Sequence, residues 1–559
     1  MANACATLPN QQPKETTMQT TQQQTNHAGG VTYTRTLREQ VLQVLSTSTL
    51  GDTFYVSREE IRKETLEVII QARHECPAFL ARALVWARNE GMMRKVPILG
   101  LVALSAGGAA IKQLFQQVFP LVIKTPDDLR EFIRECLEGK VTGRKGLGGM
   151  TVPPVRAWLA GMSEYHALKY GSAVSKGVTI RDAIRMSHPK PVSAESAEIF
   201  AWLVRGKKGL GENQNLLPQI RAYESLKAAA TEEEQVRLIR DGRLPFEVVL
   251  PAIKPTKVIW SELLMHAPYT NLLRNLVTFT RHGVFQEEKC VEHAVKKLTD
   301  PQAVRHSYVL PFQFFNAWKE YSKVEGFEPR IADAIRQAVE ISFVNIPSFG
   351  DRTVCVAPDV SGSMSGVPVS EKGTATCIDI AGIYAGALIK RIEARGLVLP
   401  FEQEVITDTG LSFRDDILVT ADKLASIGGG GTAVGAPIQH LLDRKIKVDV
   451  FIGITDNVDW CHGDGHHVRG SFLSLWRTYR KEVNPNAQAF LITIAPYRQA
   501  VVPRGEKGVR FIYGWSDQVL RYIGLSLNLG ETQVQAIENM SLKNLGRAPR
   551  ESMDAQTLV

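Results

Sequence analysis

Residues 352–366 read RTVCVAP followed by DVSGSMSG. The first half is a short apolar run of the kind that fills a buried strand. The second presents Asp359 and then hydroxyls at alternate positions, Ser361 and Ser363, with glycines between and after. A buried strand that ends in one acid and two hydroxyls sets the reading of the whole C-terminal part. Downstream, VDVFIGITD (448–456), AQAFLITIA (487–495) and VRFIYGW (509–515) read as further β-branched strands. CIDIAGIYAGALIKRIEARG (377–396) and SFLSLWRTYRKEV (471–483) read as helices between them. Buried strands alternating with helices define a doubly wound, Rossmann-like α/β domain, whose ligands sit at the carboxyl ends of the strands. DVSGS and TDN both fall at such ends.

Magnesium takes six oxygens in a tight octahedron and keeps some of its waters, so a few short oxygen side chains suit it. The loop after the first strand can turn Ser361 and Ser363 toward one point with Asp359 behind them. IGGGGTAVG (427–435) adds Thr432 from a glycine-rich loop, and GITDN adds Asp456 at the end of the next strong strand. DxSxS alone is a weak signal; its specificity comes from this conjunction. Other chemistries fit the same residues poorly. A haloacid-dehalogenase-type phosphatase needs a second Asp where Ser361 stands. The glycine run is followed by no lysine and forms no phosphate-binding loop. WCHGDGHH (460–467) puts Cys461, His462, Asp464, His466 and His467 in one loop without a matching second pair, which reads as a solvated polar loop rather than a zinc site.

Upstream, from about 31 to 345, helical signals dominate. Ser57-Arg-Glu-Glu60, Thr125-Pro-Asp-Asp128, Thr179-Ile-Arg-Asp182 and Thr231-Glu-Glu-Glu234 each place a hydroxyl at an N-cap and an acid three residues on. The hydroxyl satisfies a free amide and the acid favours the positive helix end. Apolar residues follow at helical spacing, as in Phe79, Leu80, Ala83, Leu84 and Ala87. No strict repeat length emerges, and the pattern predicts a solenoid-like array of paired helices. Residues 1–30, rich in Gln, Thr and Asn, predict a disordered tail. The expected division is therefore 1–30 tail, 31–347 helical array, 348–535 α/β domain and 536–559 C-terminal tail.

The 559 residues exceed one ordinary core, and 44% hydrophobic with 22% charged residues is a soluble composition. Seven scattered cysteines without a CxxC pair argue against a disulfide framework and fit a reducing compartment. No signal peptide is visible, and the longest apolar stretch, from Pro97, is too short and glycine-rich to span a bilayer. A cytoplasmic protein without membrane attachment is expected.

The formal charge of +8 is concentrated. Between Lys140 and Lys190 stand nine Lys/Arg against two acids, a net +7. Such a basic face attracts phosphate backbones through counterion release. Trp158, Tyr165 and Tyr170 lie among the charges as candidate stacking rings.

Two resemblances sharpen these expectations. DVSGSMS, GGGT and ITD, in this order, resemble the von Willebrand factor A fold with its metal-ion-dependent adhesion site. The resemblance implies that Ser361, Ser363 and Thr432 coordinate a divalent cation, most simply Mg2+, with Asp359 and Asp456 binding directly or through water. An open position on the metal would accept a carboxylate from an acidic protein ligand. IRDAIRMSHPKP (180–191) and HAPYTNLLRNLVTFTRHGV (266–284) resemble the TROVE module of the sixty-kilodalton Ro autoantigen family, which joins that module to a von Willebrand A domain in this order. The resemblance implies an all-α HEAT-like helical-repeat ring with a basic central hole. It implies small structured Y RNA on the outer surface and single-stranded 3′ ends of misfolded non-coding RNAs in the hole, and it permits an exoribonuclease as a further partner. Lys169 and His188 match positions associated with Y RNA contact, and Lys176 is the nearest basic residue to a third. Arg144, Lys145, Arg185, Lys190 and Arg274 are added from charge and location. No nucleophile–His–acid arrangement or paired acids for two metals occur, so a monomeric, non-enzymatic RNA-binding protein is expected. The competing class is a metal-dependent assembly module whose helical half binds protein.

Overall fold

The computed structural model describes residues 23–143, 145–171, 177–307, 309–343, 346–369, 374–392 and 396–542. The capping signals act as read. Ser57 and Thr231 accept hydrogen bonds from the Glu60 and Glu234 amides, and Thr125 and Thr179 form complete capping boxes with Asp128 and Asp182. Helices follow one another from Leu37–Thr47 to Pro329–Ser342, each packed on its neighbours in the array.

The α/β domain carries a five-stranded, all-parallel sheet. The chain's strands are β1 (Gln23–Thr25), β2 (Val31–Thr34), β3 (Val354–Pro358), β4 (Leu397–Val398), β5 (Val450–Thr455), β6 (Gln488–Thr493), β7 (Gln499–Ala500) and β8 (Val509–Tyr513). The sheet order is β4-β3-β5-β6-β8, with Val356 opposite Ile452 and Ile452 opposite Phe490. Every residue of β3 and β5 is buried, which is why both read as unbroken apolar runs. Successive side chains go to opposite faces. Cys355, Ala357 and Phe451 pack with Phe472, Trp476 and Tyr479 of the helix Phe472–Glu482. Val354, Val356, Ile452 and Ile454 face the other way, into a core shared with the helix Cys377–Ile392 and continuous with that of the helical array.

Both ends of the array rest on this one domain. At its start, the helix Leu37–Thr47 packs against β8, and the helix Pro77–Asn89 against Gln533–Asn539. The buried pair Glu90–Arg521 (2.5 Å) ties the regions together there. At its end, Pro311–Tyr321 and Pro329–Ser342 pack on Cys377–Ile392 and Ile417–Ala425, with Lys390 paired to Glu340 and Arg336 to Asp416 (3.6 Å). The packed path of helices is thus closed through the α/β domain.

Two expected boundaries are corrected. The segment from Gln23 to Gly30, assigned to a tail, pairs as β1 with β2, and β2 pairs with β7 of the α/β domain. Asn26 explains this order: its Oδ1 accepts from the Ala28 and Gly30 amides, and its Nδ2 donates to the Asp459 carbonyl at 2.8 Å. A polar composition hid a segment whose hydrogen bonds are made 433 residues away. The helix Gln533–Asn539, with Ala536 and Ile537 buried, crosses the expected start of the C-terminal tail. Residues 1–22 lie outside the described residues.

Candidate functional site

The carboxyl ends of β3 and β5 bring the five expected metal ligands together. The Ser361 amide donates to Asp359 Oδ1 at 3.0 Å and its hydroxyl to the same oxygen at 2.6 Å. Thr432 Oγ1 donates to Ser361 Oγ at 2.9 Å, and Ser361 Oγ lies 3.3 Å from Ser363 Oγ. Thr455 Oγ1 holds Asp359 Oδ2 at 2.6 Å, and Asp456 Oδ1 accepts from the Val458 amide at 3.0 Å. The glycine run is needed for close approach. Gly362 donates its amide to the Gly430 carbonyl at 2.9 Å, and a Cβ on Gly362 would stand 2.7 Å from the Gly429 carbonyl oxygen.

The donor set fits a small hard cation. Oxygens bound to Mg2+ at about 2.1 Å in an octahedron stand roughly 3 Å apart along its edges. The hydroxyl separations of 2.9 and 3.3 Å match that spacing. Asp359 and Asp456 are both buried, and Asp456 Oδ2 has no hydrogen-bond partner. Burial, and then the proximity of Asp456, push the Asp359 carboxyl up to about 7. Burial also raises Asp456, with the Val458 amide and the Ser363 side chain opposing. Two desolvated acids with one orphaned oxygen are what a divalent cation would neutralise.

One wall of this centre was not legible in the motif. Tyr55, from the helical region, stands beside the centre: its amide donates to the Tyr497 hydroxyl at 3.5 Å, and Ser363 opposes the rise in pKa that burial gives its phenol. Its ring lies 5.8 Å from that of Tyr497. No local signal marks Tyr55, because the contact spans the two regions.

The polar loop after β5 holds no metal cluster. Cys461 is buried with Sγ 3.2 Å from His466 Nδ1, while Asp464 and His467 are exposed. Among the described residues no group of three or more His, Cys, Asp or Glu could hold an ion.

The basic residues divide. The helix Ile180–Ser187 ends at His188, which is exposed in the left-handed conformation (φ 50) and donates its amide to the Ile184 carbonyl at 2.8 Å. Arg185 and Lys190 beside it are exposed, and Arg156 joins them because its Nε donates to the Ser187 carbonyl. Arg156 was counted in the basic segment but not singled out, since its convergence with His188 depends on packing between helices. Lys169 differs from expectation: its side chain is only 16% exposed and is paired with Glu247 at 2.9 Å. Burial works against its charge, but Glu247 holds its pKa above the usual lysine range. Tyr165 and Tyr170 flank the Lys169 ammonium at 5.7 and 5.6 Å, and Trp158 donates to the Ile123 carbonyl while packed on the core. All three rings are half-buried as well as making these internal contacts. Lys145 is exposed. Arg274 is exposed on Tyr269–Arg281, which packs with Pro311–Tyr321 and Lys257–His266 in another part of the array. Arg144 and Lys176 lie outside the described residues.

Comparison with known proteins agrees with this architecture. The Ro60 vWA domain model matches residues 353–524, and the TROVE domain model matches 246–344. Residues 266–284 fall inside the second match and 180–191 outside it. RNA-binding protein RO60 of Deinococcus radiodurans is 28% identical over 474 residues, covering 78% of this chain and 83% of the relative. RNA-binding protein RO60 of Caenorhabditis elegans is 24% identical over 469 residues, covering 72% and 70%. The crystal structure of the Deinococcus radiodurans RO (RSR) protein superposes with a TM-score of 0.62 at 21% identity, covering 87% of this chain and 99% of that one. Fold and site together define a protein in which a TROVE helical array is joined to a von Willebrand A domain. The two domain models it matches, TROVE and then Ro60 vWA, follow one another along the chain in that order.

Proposed function

We propose that this protein is an RNA-binding ribonucleoprotein component, taking small structured Y-type RNA on its outer surface and single-stranded 3′ ends of defective non-coding RNAs through a central opening. The observation that carries the reading is the exposed group at the end of Ile180–Ser187, where the cations Arg156, Arg185 and Lys190 stand around His188. Three such cations favour a phosphate backbone and require little base readout. An opening that passes one strand but not a duplex would admit RNAs with free tails and reject those with paired ends. The role is binding without chemistry, in RNA quality control or processing, and an exoribonuclease partner is compatible with it.

The second component of the reading is a Mg2+ held by Ser361, Ser363 and Thr432, with Asp359 and Asp456 as its charged neighbours. It would supply an electrophilic position for an acidic protein ligand. The fit of the hydroxyl spacing and the orphaned Asp456 oxygen support it.

Filter-binding titration with a structured RNA over a salt series tests the first component. A log–log slope of about −3 is expected for three phosphate contacts. Absence of binding at low salt overturns the reading.

A further inference from the structure

The N-terminal part of the helical region reaches three of the loops at the carboxyl end of the sheet. On the loop after β3, Thr49 Oγ1 donates to the Val369 carbonyl at 2.8 Å, and Phe54 lies so close to Gly366 that a Cβ there would stand 2.4 Å from its ring. On the loop after β5, Val56 and Ile61 pack with Val458, and Asn26 Nδ2 holds the Asp459 carbonyl. On the segment after β6, Gln43 Nε2 donates to the Ala495 carbonyl at 3.0 Å and to that of Tyr497. A cleft between the regions is lined by Asp52 and Phe54 on one side and by Ser363, Asp456 and Tyr497 on the other. Tyr55 stands where this cover meets the candidate ligands, its ring in a cluster with those of His27 (6.1 Å) and Tyr497 (5.8 Å).

We propose that the cation site is an interdomain site: Tyr55 is its positioning residue from the helical region, and cation binding clamps the loop 49–56 onto the α/β domain. The proposal rests on the Mg2+ reading above. Its physical basis is the shared hydroxyl of Ser363. When that oxygen turns its lone pair to a cation, its proton goes to an acceptor beside it; Asp456 is the one within the site and the Tyr55 phenol the one from the helical region. Ordering of Ser363 therefore orders Tyr55, and through it the loop that carries Thr49 and Phe54. Attachment of the array's first helices to the sheet and occupancy of the metal position then favour each other, as linkage requires.

The test uses the full chain with Mg2+ alone. Calorimetric affinities are compared for wild type, Ser361→Ala and Tyr55→Phe, and chymotryptic cleavage at the half-exposed Phe54 is timed with and without saturating Mg2+. The expected results are loss of binding in Ser361→Ala, about threefold weaker binding in Tyr55→Phe for one lost hydroxyl contact, and Mg2+-dependent protection of Phe54 in wild type only. If wild type binds Mg2+ while Tyr55→Phe binds equally well, or Phe54 is cut at the same rate with and without the ion, the interdomain site is overturned and the metal reading stands. If wild type binds no Mg2+, the metal reading itself falls and the clamp with it.

Discussion

Thr455 Oγ1 donates to Asp359 Oδ2 at 2.6 Å, joining the ends of β5 and β3 through side chains that are both fully buried. The same hydroxyl oxygen accepts from the Asn457 amide at 3.0 Å. Thr455 thus supports an acid that faces the metal position without being one of its candidate ligands. Thr455→Val keeps the shape and removes both bonds, so it should destabilise the protein by about 1–3 kcal/mol. Urea denaturation measures this, and added Mg2+ should recover part of the loss in the variant.

Asp128 is buried between Arg88 (2.9 Å) and Arg94 (2.6 Å). Burial alone would raise its pKa, but the two guanidiniums hold it below the ordinary carboxylate value of 3.8. A depressed acid stabilises the fold fully above its unfolded pKa and loses that contribution as pH falls through the folded one. Asp128→Asn should therefore cost about 3 kcal/mol at neutral pH. The gap between variant and wild type should narrow below pH 3.8, in denaturation curves taken across the acid range.

The Glu90–Arg521 pair, with side chains 10% and 12% exposed, joins the helical array to the α/β domain. Arg521→Met removes the cation and leaves Glu90 buried without it, at a cost of about 3 kcal/mol or more. Thermal unfolding should shift downward, and the helical and α/β regions should then lose structure at separate temperatures.

Arg185→Ala with Lys190→Ala removes two exposed charges and should flatten the log–log salt slope of RNA binding by about 2. His188→Ser with Lys169→Ala should weaken a Y-type RNA more than a single-stranded tail. Equal loss on both ligands would count against separate outer and inner surfaces. Because Lys169 is paired with Glu247, a control Glu247→Gln variant reports how much of the loss comes from that pair.

Local patterns carried much of this structure. The strand-terminal position of DVSGS and TDN followed from buried apolar runs, and four helix starts followed from a hydroxyl with an acid three residues on. Each of these signals is a nearest-neighbour interaction, satisfied within a few residues of the motif. Trp158, Tyr165 and Tyr170 stood out from composition alone, and packing half-buries them, with Trp158 held by the Ile123 carbonyl and the two tyrosines beside Lys169.

The amino-acid order by itself determined the buried strands, the capped helices and which side chains sit at the ends of β3 and β5, because periodicity, capping and strand burial act over short spans of chain; it did not mark β1. The tertiary structure alone decided that Asn26 holds the Asp459 loop, that Tyr55 stands beside Ser363, that Arg156 joins His188 and that Glu247 engages Lys169. Those contacts join segments tens to hundreds of residues apart, and no spacing rule along the chain encodes which distant surface a side chain will meet.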